Sequence, residues 1–265
     1  IIVFEADRFL TTPRYCDDCT DDSKAEENAW NANILALAAA MMPYHPHTEA
    51  WKEKNSEWML AAFAKQSDTT SRKKIDGKRL KNWLSGWNIR EEGYLYNHNR
   101  VHPDYMASAL MNLWNPIVVF LGGKDMPEAA FWNMNLIYNN LENHTWDSPP
   151  YDAPGGTIYQ PDKATVYYPQ GTDWSTQSID NFFMFDVQAA AFDIDNGVSI
   201  PARDWAHLRA DYLLDMQARS KTGQLYQQKD QLHFYPKESK AAAWFAMSHL
   251  TLWLEYQRAW GRAIP

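Results

Sequence analysis

The sequence predicts an all-α protein, and three observations support this class. Apolar residues recur at helical spacing along almost the whole chain of 265 residues. Glycine accounts for only 11 residues, which disfavours the tight turns of sandwiches and small barrels. The long helices fall into pairs, each with an apolar first member and a more charged second member. This pairing favours an α/α toroid, or an incomplete barrel of stacked helical hairpins, over an array of four-helix bundles.

The first predicted helix covers residues 23–42. Ser23 followed by Glu26 matches a capping box, and Pro43 ends the helix. Its expected apolar face consists of Trp30, Ile34, Leu37 and Met41. A second helix over 48–66 completes the first hairpin. Its expected apolar face consists of Trp51, Trp58, Ala62 and Phe63.

The same pattern continues to the end of the sequence. The remaining predicted elements are a short helix over 77–85, helices over 102–121 and 126–143, one or two short strands within 157–168, and helices over 174–194, 201–219 and 237–260. Pro103 and Pro127 suit first helical turns, and Pro116 is expected to kink its helix. Long loops precede the first member of each pair, so we expect them at one end of the scaffold. We expect a single domain over 1–265, whether complete or an excerpt of a longer chain.

Charge and composition exclude several classes of protein. The formal charge of −8 is too acidic for a protein that coats nucleic acid. No apolar run approaches the roughly 18 residues of a transmembrane helix, so no membrane span is expected. Cys16 and Cys19 lack the second cysteine pair of a zinc site, which leaves free thiols or a small local disulfide. No metal site and no cofactor are predicted, and the oligomeric state is left open.

The densest group of polar side chains lies within residues 94–105. It consists of Asn97, His98, Asn99, Arg100, His102, Asp104 and Tyr105. A solvated loop rarely combines two histidines with an arginine and several tyrosines, so this segment is the first candidate site. The alternative is that these residues cap a helix and bridge loops. Because Pro103 opposes a helix through both His98 and His102, their spacing does not predict structural zinc.

Three further segments lie just before predicted helices or in their first turns. In 167–174, Tyr168 is a candidate acid or base from a second loop, and Asp173 either caps the helix or places a carboxylate in the cleft. In 24–30, Glu27 and Asn28 are expected to face the same cavity. The segment 233–239 carries the weakest signal. The expected stacking surfaces for flat, amphipathic ligands such as sugar rings are Trp30, Trp87 and Trp174.

Two of these segments and the Asn97–His98 pair carry a family resemblance. The pair, followed by a tyrosine and an aromatic helix, resembles the Asn-His motif of α/α-toroid polysaccharide lyases of the heparinase II/III-like and alginate-lyase groups. The segments 168–174 and 25–30 are similar to parts of uncharacterised bacterial relatives of that group. The resemblance extends over about residues 20–260. It implies a helical toroid that cleaves a uronic-acid-containing polymer by β-elimination.

In such a reaction, a base removes the proton α to the carboxylate and the 4-linked oxygen leaves. Asn97 and His98 would donate hydrogen bonds to the substrate carboxylate. Tyr105 or Tyr168 would act as base or acid, with the phenol pKa lowered by Arg100. Arg100 would otherwise grip a carboxylate directly. The substrate-binding residues would be His102, Glu27, Asn28 and the three tryptophans.

The implied partner is a polysaccharide or oligosaccharide, and the implied location is secreted or periplasmic. Two alternatives stay open. A glycoside hydrolase on the same scaffold would use Asp173 with Glu27 or Asp104, two carboxylates roughly 5–9.5 Å apart. A non-catalytic module would bind glycan or protein through an aromatic groove, and loss of His98 would then affect binding alone.

Overall fold

A computed structural model of the chain describes residues 1–15, 21–174, 176–227, 229, 231 and 233–260. The described residues are mostly α-helical with little strand, which confirms the predicted class. The α-helices are α1 (Ile2–Thr11), α2 (Ala25–Met41), α3 (Thr48–Phe63), α4 (Pro103–Ala107), α5 (Ala109–Leu121), α6 (Met134–Asn143), α7 (Ile179–Ala191), α8 (Ala202–Ala218) and α9 (Glu238–Tyr256). The strands are β1 (Lys74–Ile75), β2 (Lys78–Arg79), β3 (Tyr96–Asn97) and β4 (Arg100–Val101).

The described residues form two compact units, and the chain passes between them several times. Unit 1 comprises those within Ile1–Asn99, Ser108–Ile137 and Trp260–Pro265. Unit 2 comprises those within Arg100–Ala107 and Tyr138–Ala259. Whether the chain is a single domain therefore stays a prediction. In the described part of the chain, no helix is both long and apolar enough to cross a membrane.

Helix α2 lies at the centre of unit 1, where it packs against α1, α3 and α5. Its buried residues are Ala25, Asn28, Ala29, Ala32, Leu35, Ala36, Ala38 and Ala39. The predicted apolar face of this helix is therefore wrong: Trp30 is 54% exposed and Met41 is 60% exposed. Alanine side chains allow neighbouring helices to approach the backbone closely, so small residues define the buried face.

Helix α3 agrees with its prediction. All four residues of its expected apolar face are buried: Trp51, Trp58, Ala62 and Phe63. The buried Asn55 amide donates hydrogen bonds to the carbonyl oxygen of Ala32 (2.8 Å) and to Asn115 Oδ1 (3.1 Å). These bonds connect α3 to both α2 and α5, which fixes the register of the three helices.

A hairpin replaces the predicted short helix over 77–85. Strands β1 and β2 pair antiparallel, with Ile75 opposite Lys78 and Lys74 opposite Arg79. The turn between them consists of Asp76 and Gly77, both with positive φ (47° and 76°). An Asp-Gly pair with this geometry is a strong hairpin signal, and helical periodicity alone misses it. A short 3-10 helix, Leu80–Asn82, follows.

Other predicted elements begin late or are interrupted. The helix expected over 102–121 is interrupted at Ser108, which separates α4 from α5. The helix expected over 126–143 is a 3-10 turn, Glu128–Phe131, followed by α6. The strands expected within 157–168 reduce to one isolated bridge between Tyr159 and Val166. Cys16 and Cys19 lie outside the described residues, so the prediction about them stays a prediction.

Helix α7 lies at the centre of unit 2, where it packs against α4, α8 and α9. An apolar cluster joins these elements: Ile179, Leu213, Met216, Leu225, Tyr226, Phe234 and Ala241. Trp174 packs against the edge of this cluster. The core of unit 2 therefore lies directly beneath one of the predicted site segments.

Candidate functional site

The candidate site of unit 2 surrounds His102, whose side chain is fully buried. Its Nε2 atom lies 3.4 Å from Asp173 Oδ1, and its Nδ1 atom lies 3.7 Å from Asp104 Oδ2. The Asp173 side chain is 36% exposed, whereas that of Asp104 is 1% exposed. His102 therefore connects a buried carboxylate to one that solvent reaches.

Aromatic rings enclose the His102 imidazole. Tyr105 meets it edge to face at 4.8 Å between ring centres, and Trp174 lies tilted against it at 4.7 Å. Tyr168 contacts it edge to face at 6.3 Å. Acid–base side chains lie beside flat, partly exposed aromatic surface here, a combination typical of ligand-binding sites.

His233 completes this arrangement from a segment far away in the sequence. Its ring stacks on the Trp174 indole, with ring centres 5.0 Å apart and an interplanar angle of 6°. Lys237 Nζ lies 2.9 Å from His233 Nε2. Burial, together with the nearby Lys237 charge, lowers the pKa of His233. The ring that covers Trp174 is therefore neutral near pH 7.

Asp104 and Tyr168 form a buried hydrogen-bonded pair. The Tyr168 hydroxyl donates to Asp104 Oδ2 (2.5 Å), and the Ser178 backbone N–H donates to Asp104 Oδ1 (3.2 Å). Burial raises the pKa of Asp104 to about 6. Burial and the adjacent Asp104 raise the pKa of Tyr168 well above its ordinary value. The expectation that Arg100 lowers this phenol pKa is therefore wrong for Tyr168, which stays a neutral donor to Asp104.

A second polar network holds the start of α7. Lys240 Nζ lies 2.9 Å from Asp180 Oδ2, 3.0 Å from Ser178 Oγ and 2.9 Å from Asn181 Oδ1. The Tyr226 hydroxyl donates to Asp180. Helix α7 has Ser178 at its N-cap position, so the capping role considered for Asp173 is wrong. The other interpretation of Asp173, as an accessible carboxylate, stays a prediction.

In unit 1, Asn97 and His98 belong to a tight turn. His98 and Asn99 are the two central residues of the turn between β3 and β4, with φ of +51° and +60°. Asn97 is 2% exposed, and its amide donates to the Ser23 carbonyl oxygen at 2.7 Å. Among the described residues, no group donates a hydrogen bond to Asn97 Oδ1. Its proposed donor role toward a substrate therefore competes with a bond inside the fold, whereas the His98 side chain is exposed.

Asn28 holds the backbone of Tyr15. It accepts a hydrogen bond from the Tyr15 N–H (3.1 Å) and donates one to the Tyr15 carbonyl (3.2 Å). Because Asn28 is also fully buried, its predicted contact with substrate is wrong. Glu27 Oε1 lies 3.6 Å from Lys24 Nζ. Trp87 is half-buried and packs against the core of unit 1.

The structure thus divides the predicted residues between the two units. In unit 2 it brings together His102, Tyr105, Tyr168, Asp173 and Trp174. Arg100 lies in β4 of the same unit. Unit 1 holds Asn97, His98, Glu27, Asn28, Trp30 and Trp87. The sequence does not predict the contact of His233 with Trp174, although the segment 233–239 is one of the candidate segments.

A cleft of about 740 Å³ opens in unit 1. Alanines of α2 form part of its wall, and ion pairs such as Lys52–Glu49 (2.7 Å) and Lys78–Glu53 (3.4 Å) lie on its lining. None of the predicted site residues lines this cleft. Its mixed charges indicate no particular ligand class.

Comparison with protein-family models, with curated proteins and with solved structures found no match.

Proposed function

We propose that this chain is a carbohydrate-active enzyme, a polysaccharide lyase that cleaves a uronic-acid-containing polymer by β-elimination. The observation that carries the proposal is the cluster around His102 in unit 2. In this cluster the exposed Asp173 carboxylate and the Tyr105 phenol, which keeps 9% of its surface exposed, lie beside the Trp174 indole. Aromatic rings bind sugar rings, and positioned carboxyl and phenol groups transfer protons.

In the proposed reaction, Asp173 removes the proton α to the substrate carboxylate. The electron pair forms a carbon–carbon double bond as the bond to the 4-linked oxygen breaks, and the Tyr105 hydroxyl protonates that oxygen. His102 is fully buried, so it acts as a positioning residue for Asp173 rather than by touching substrate. Neutralisation of the substrate carboxylate by Asn97, His98 and Arg100 stays a prediction from the family resemblance.

A toroid or incomplete barrel of helical hairpins is part of the same proposal. Packing of α2 against α3 and of α7 against α8 supports it, because each pair is a hairpin of the predicted kind. A secreted or periplasmic location also belongs to the proposal, since polymers of this class are too large to enter a cell intact.

The hydrolase alternative needs a second carboxylate that reaches the substrate. Asp104 does not fit this role, because its side chain is 1% exposed and both its oxygens accept hydrogen bonds inside the fold. The pair of Asp173 with Glu27 stays a prediction.

The test uses alginate, pectate, glucuronan, heparan and chondroitin chains as substrates. Ultraviolet absorbance reports the new double bond, and a reducing-end assay on the same samples reports every cleavage. We expect both signals to rise for at least one polymer. New reducing ends without a rise in absorbance would identify a hydrolase instead. No signal in either assay for any of these polymers would reject an enzyme that acts on them and would favour a binding module.

Variants then test the assigned residues. We expect Asp173→Asn and Tyr105→Phe to lower turnover about 100-fold or more, the usual contribution of a positioned acid or base. Asp211→Asn, on the exposed face of α8, is the matched control for loss of one carboxylate. Full activity of Asp173→Asn would reject its catalytic role.

A further inference from the structure

The β1–β2 hairpin concentrates positive charge on one short segment of unit 1. Six of the 25 lysines and arginines of the chain lie within residues 72–81, although the chain has a formal charge of −8. All six are exposed except Lys78, which is half-buried. These residues, here called the basic hairpin, are Arg72, Lys73, Lys74, Lys78, Arg79 and Lys81. A chain this acidic attracts an anionic partner only through such a local patch.

Most cations of the basic hairpin have no acidic partner in the part of the chain that the structure describes. Lys78 pairs with Glu53 at 3.4 Å, and none of the other five takes part in an ion pair there. The acidic residue of the same segment, Asp76, accepts hydrogen bonds from the Ser56 hydroxyl (2.6 Å) and the Glu128 N–H (2.8 Å). The basic hairpin therefore presents positive charge to solvent.

Two of these cations face each other directly. Lys74 of β1 lies opposite Arg79 of β2, and both are exposed. Directly opposite residues of an antiparallel pair have Cβ atoms about 4.5–5.5 Å apart, so like charges at these positions destabilise the hairpin. Neither strand contains an acidic residue that would offset this cost. A local feature that opposes stability in this way is typical of a functional surface.

Core contacts and an indole ring complete the surface. Ile75 is 3% exposed, and its carbonyl accepts a hydrogen bond from the buried Trp83 indole (3.0 Å), which anchors the hairpin. Lys73 Nζ lies 4.6 Å from the centre of the half-buried Trp132 ring. Aromatic rings pack against the apolar faces of sugars, and lysine and arginine bind carboxylates. Cations beside a partly exposed indole therefore match the chemistry of an anionic sugar.

We propose that the basic hairpin binds an acidic polysaccharide, with its lysines and arginines on the carboxylates of one polymer and Trp132 against a sugar ring. The choice of a polyuronate rests on the proposed function, although binding here needs no catalysis. An anion on every sugar ring lets one polymer engage several cations together, and each contact releases a counterion. Duplex nucleic acid is less favoured, because its charge spacing of about 1.7 Å meets stronger repulsion from a chain of formal charge −8.

Lysine acetylation with and without polymer tests the location of the surface. The polymers are the alginate, pectate, glucuronan, heparan and chondroitin chains of the activity assay. For at least one of them, at tenfold its Kd, we expect acetylation of Lys73, Lys74 and Lys81 to slow about tenfold. Lys124 in unit 1 and Lys221 in unit 2 are exposed controls that should react at an unchanged rate. Equal protection of all five lysines, or protection of none, would overturn the proposal.

Lys74→Gln combined with Arg79→Gln tests the facing pair. Binding of the protecting polymer should weaken about tenfold and become less dependent on salt, because two charge contacts are lost. The melting temperature should not fall, since like charges no longer face each other. Arg8→Gln combined with Lys124→Gln removes the same two types of cation from other exposed positions of unit 1 and should leave binding unchanged. Equal affinity of the wild type and the facing-pair variant would contradict the proposal.

Two further outcomes distinguish this surface from its alternatives. If duplex DNA bound more tightly than every polymer of the panel and lost affinity in the facing-pair variant, the surface would belong to nucleic acid and the proposal would be wrong. Acetylation and affinity report binding alone. A chain that binds polymer at the basic hairpin but cleaves none of the panel would therefore support this inference and reject the proposed lyase.

Discussion

Arg209 and Asp186 form an ion pair in which neither side chain is exposed to solvent. The Asp186 carboxylate also accepts hydrogen bonds from the Tyr138 and Tyr159 hydroxyls, both at 2.9 Å. The Arg209 guanidinium lies 3.9 Å from the centre of the Tyr159 ring, and its Nε donates to the Ala164 carbonyl. The pair therefore joins α7 to α8 inside unit 2, and these hydrogen bonds compensate part of the cost of its burial.

Arg209→Met should lower the free energy of unfolding by about 3–5 kcal/mol, because it leaves the Asp186 charge buried without its partner. Urea denaturation followed by circular dichroism measures this change. Removing both charges with Asp186→Leu and Arg209→Met should cost less than the single change. A loss below about 1 kcal/mol for Arg209→Met would show that water reaches the pair.

Three carboxyl groups predict how stability varies with pH. Burial raises the pKa of Asp104 and of Asp186 to about 6, and that of Glu142 to about 7. Their ordinary values are 3.8 for aspartate and 4.5 for glutamate. The folded chain therefore binds more protons than the unfolded chain between about pH 4 and 7, so these groups stabilise it less as pH rises through that window.

Asp104→Asn should remove the contribution of Asp104 to this slope. We expect its stability relative to wild type to improve from pH 4 to pH 7, measured as the urea midpoint at each unit of pH. Asp211→Asn controls for loss of one exposed carboxylate. A pH dependence identical to that of wild type would contradict the assigned origin of the slope.

Asn28→Ala should lower the free energy of unfolding by about 1–3 kcal/mol, because the Tyr15 backbone loses both of its bonds to this side chain. Turnover should be unaffected at temperatures where the variant is folded. Thermal unfolding and the polyuronate assay measure the two effects. If Asn28→Ala lost turnover but kept its stability, the structural role assigned to Asn28 would be wrong and a role in substrate binding would be supported.

His98→Gly separates the turn from the chemistry at this position. Glycine accepts positive φ without strain, so stability should stay within about 0.5 kcal/mol of wild type, whereas turnover should be lost. His98→Ala should also abolish turnover, and because it keeps a Cβ atom at this positive φ it should leave the backbone strain of wild type unchanged. Asn99→Gly, in the same turn, is the control that should keep both stability and turnover. Full turnover of His98→Gly would reject a catalytic role for His98.

Sequence periodicity predicts some helices of this chain well and others poorly. The prediction of α3 is correct because Trp51 and Trp58 are large, regularly spaced and buried. Helix α1 is not predicted from the sequence: a ten-residue helix is marginal alone, and Ala6 and Phe9 stabilise it only by packing into unit 1. The break at Ser108 also depends on tertiary contacts, since Asp104 holds α4 through bonds to segments distant in the sequence.

The same distinction applies to the candidate site. His102, Tyr105 and Asp173 are predictable as site residues because polar and aromatic types concentrate before helices. The stacking of His233 on Trp174 is not, because no local spacing relates residues so far apart. The structural roles of Asn28 and Tyr168 likewise depend on burial, which residue type alone does not reveal.

The six buried alanines of α2 restrict which substitutions this chain accepts. A valine or leucine at Ala32 overpacks the core of unit 1, at a cost of about 1–3 kcal/mol. Trp30 and Met41 are larger and more apolar than these alanines, but they face solvent. Substitutions at these two positions should therefore change stability little. In related sequences, therefore, α2 will be recognised by its invariant small residues, and its tryptophan will be among the first residues to change.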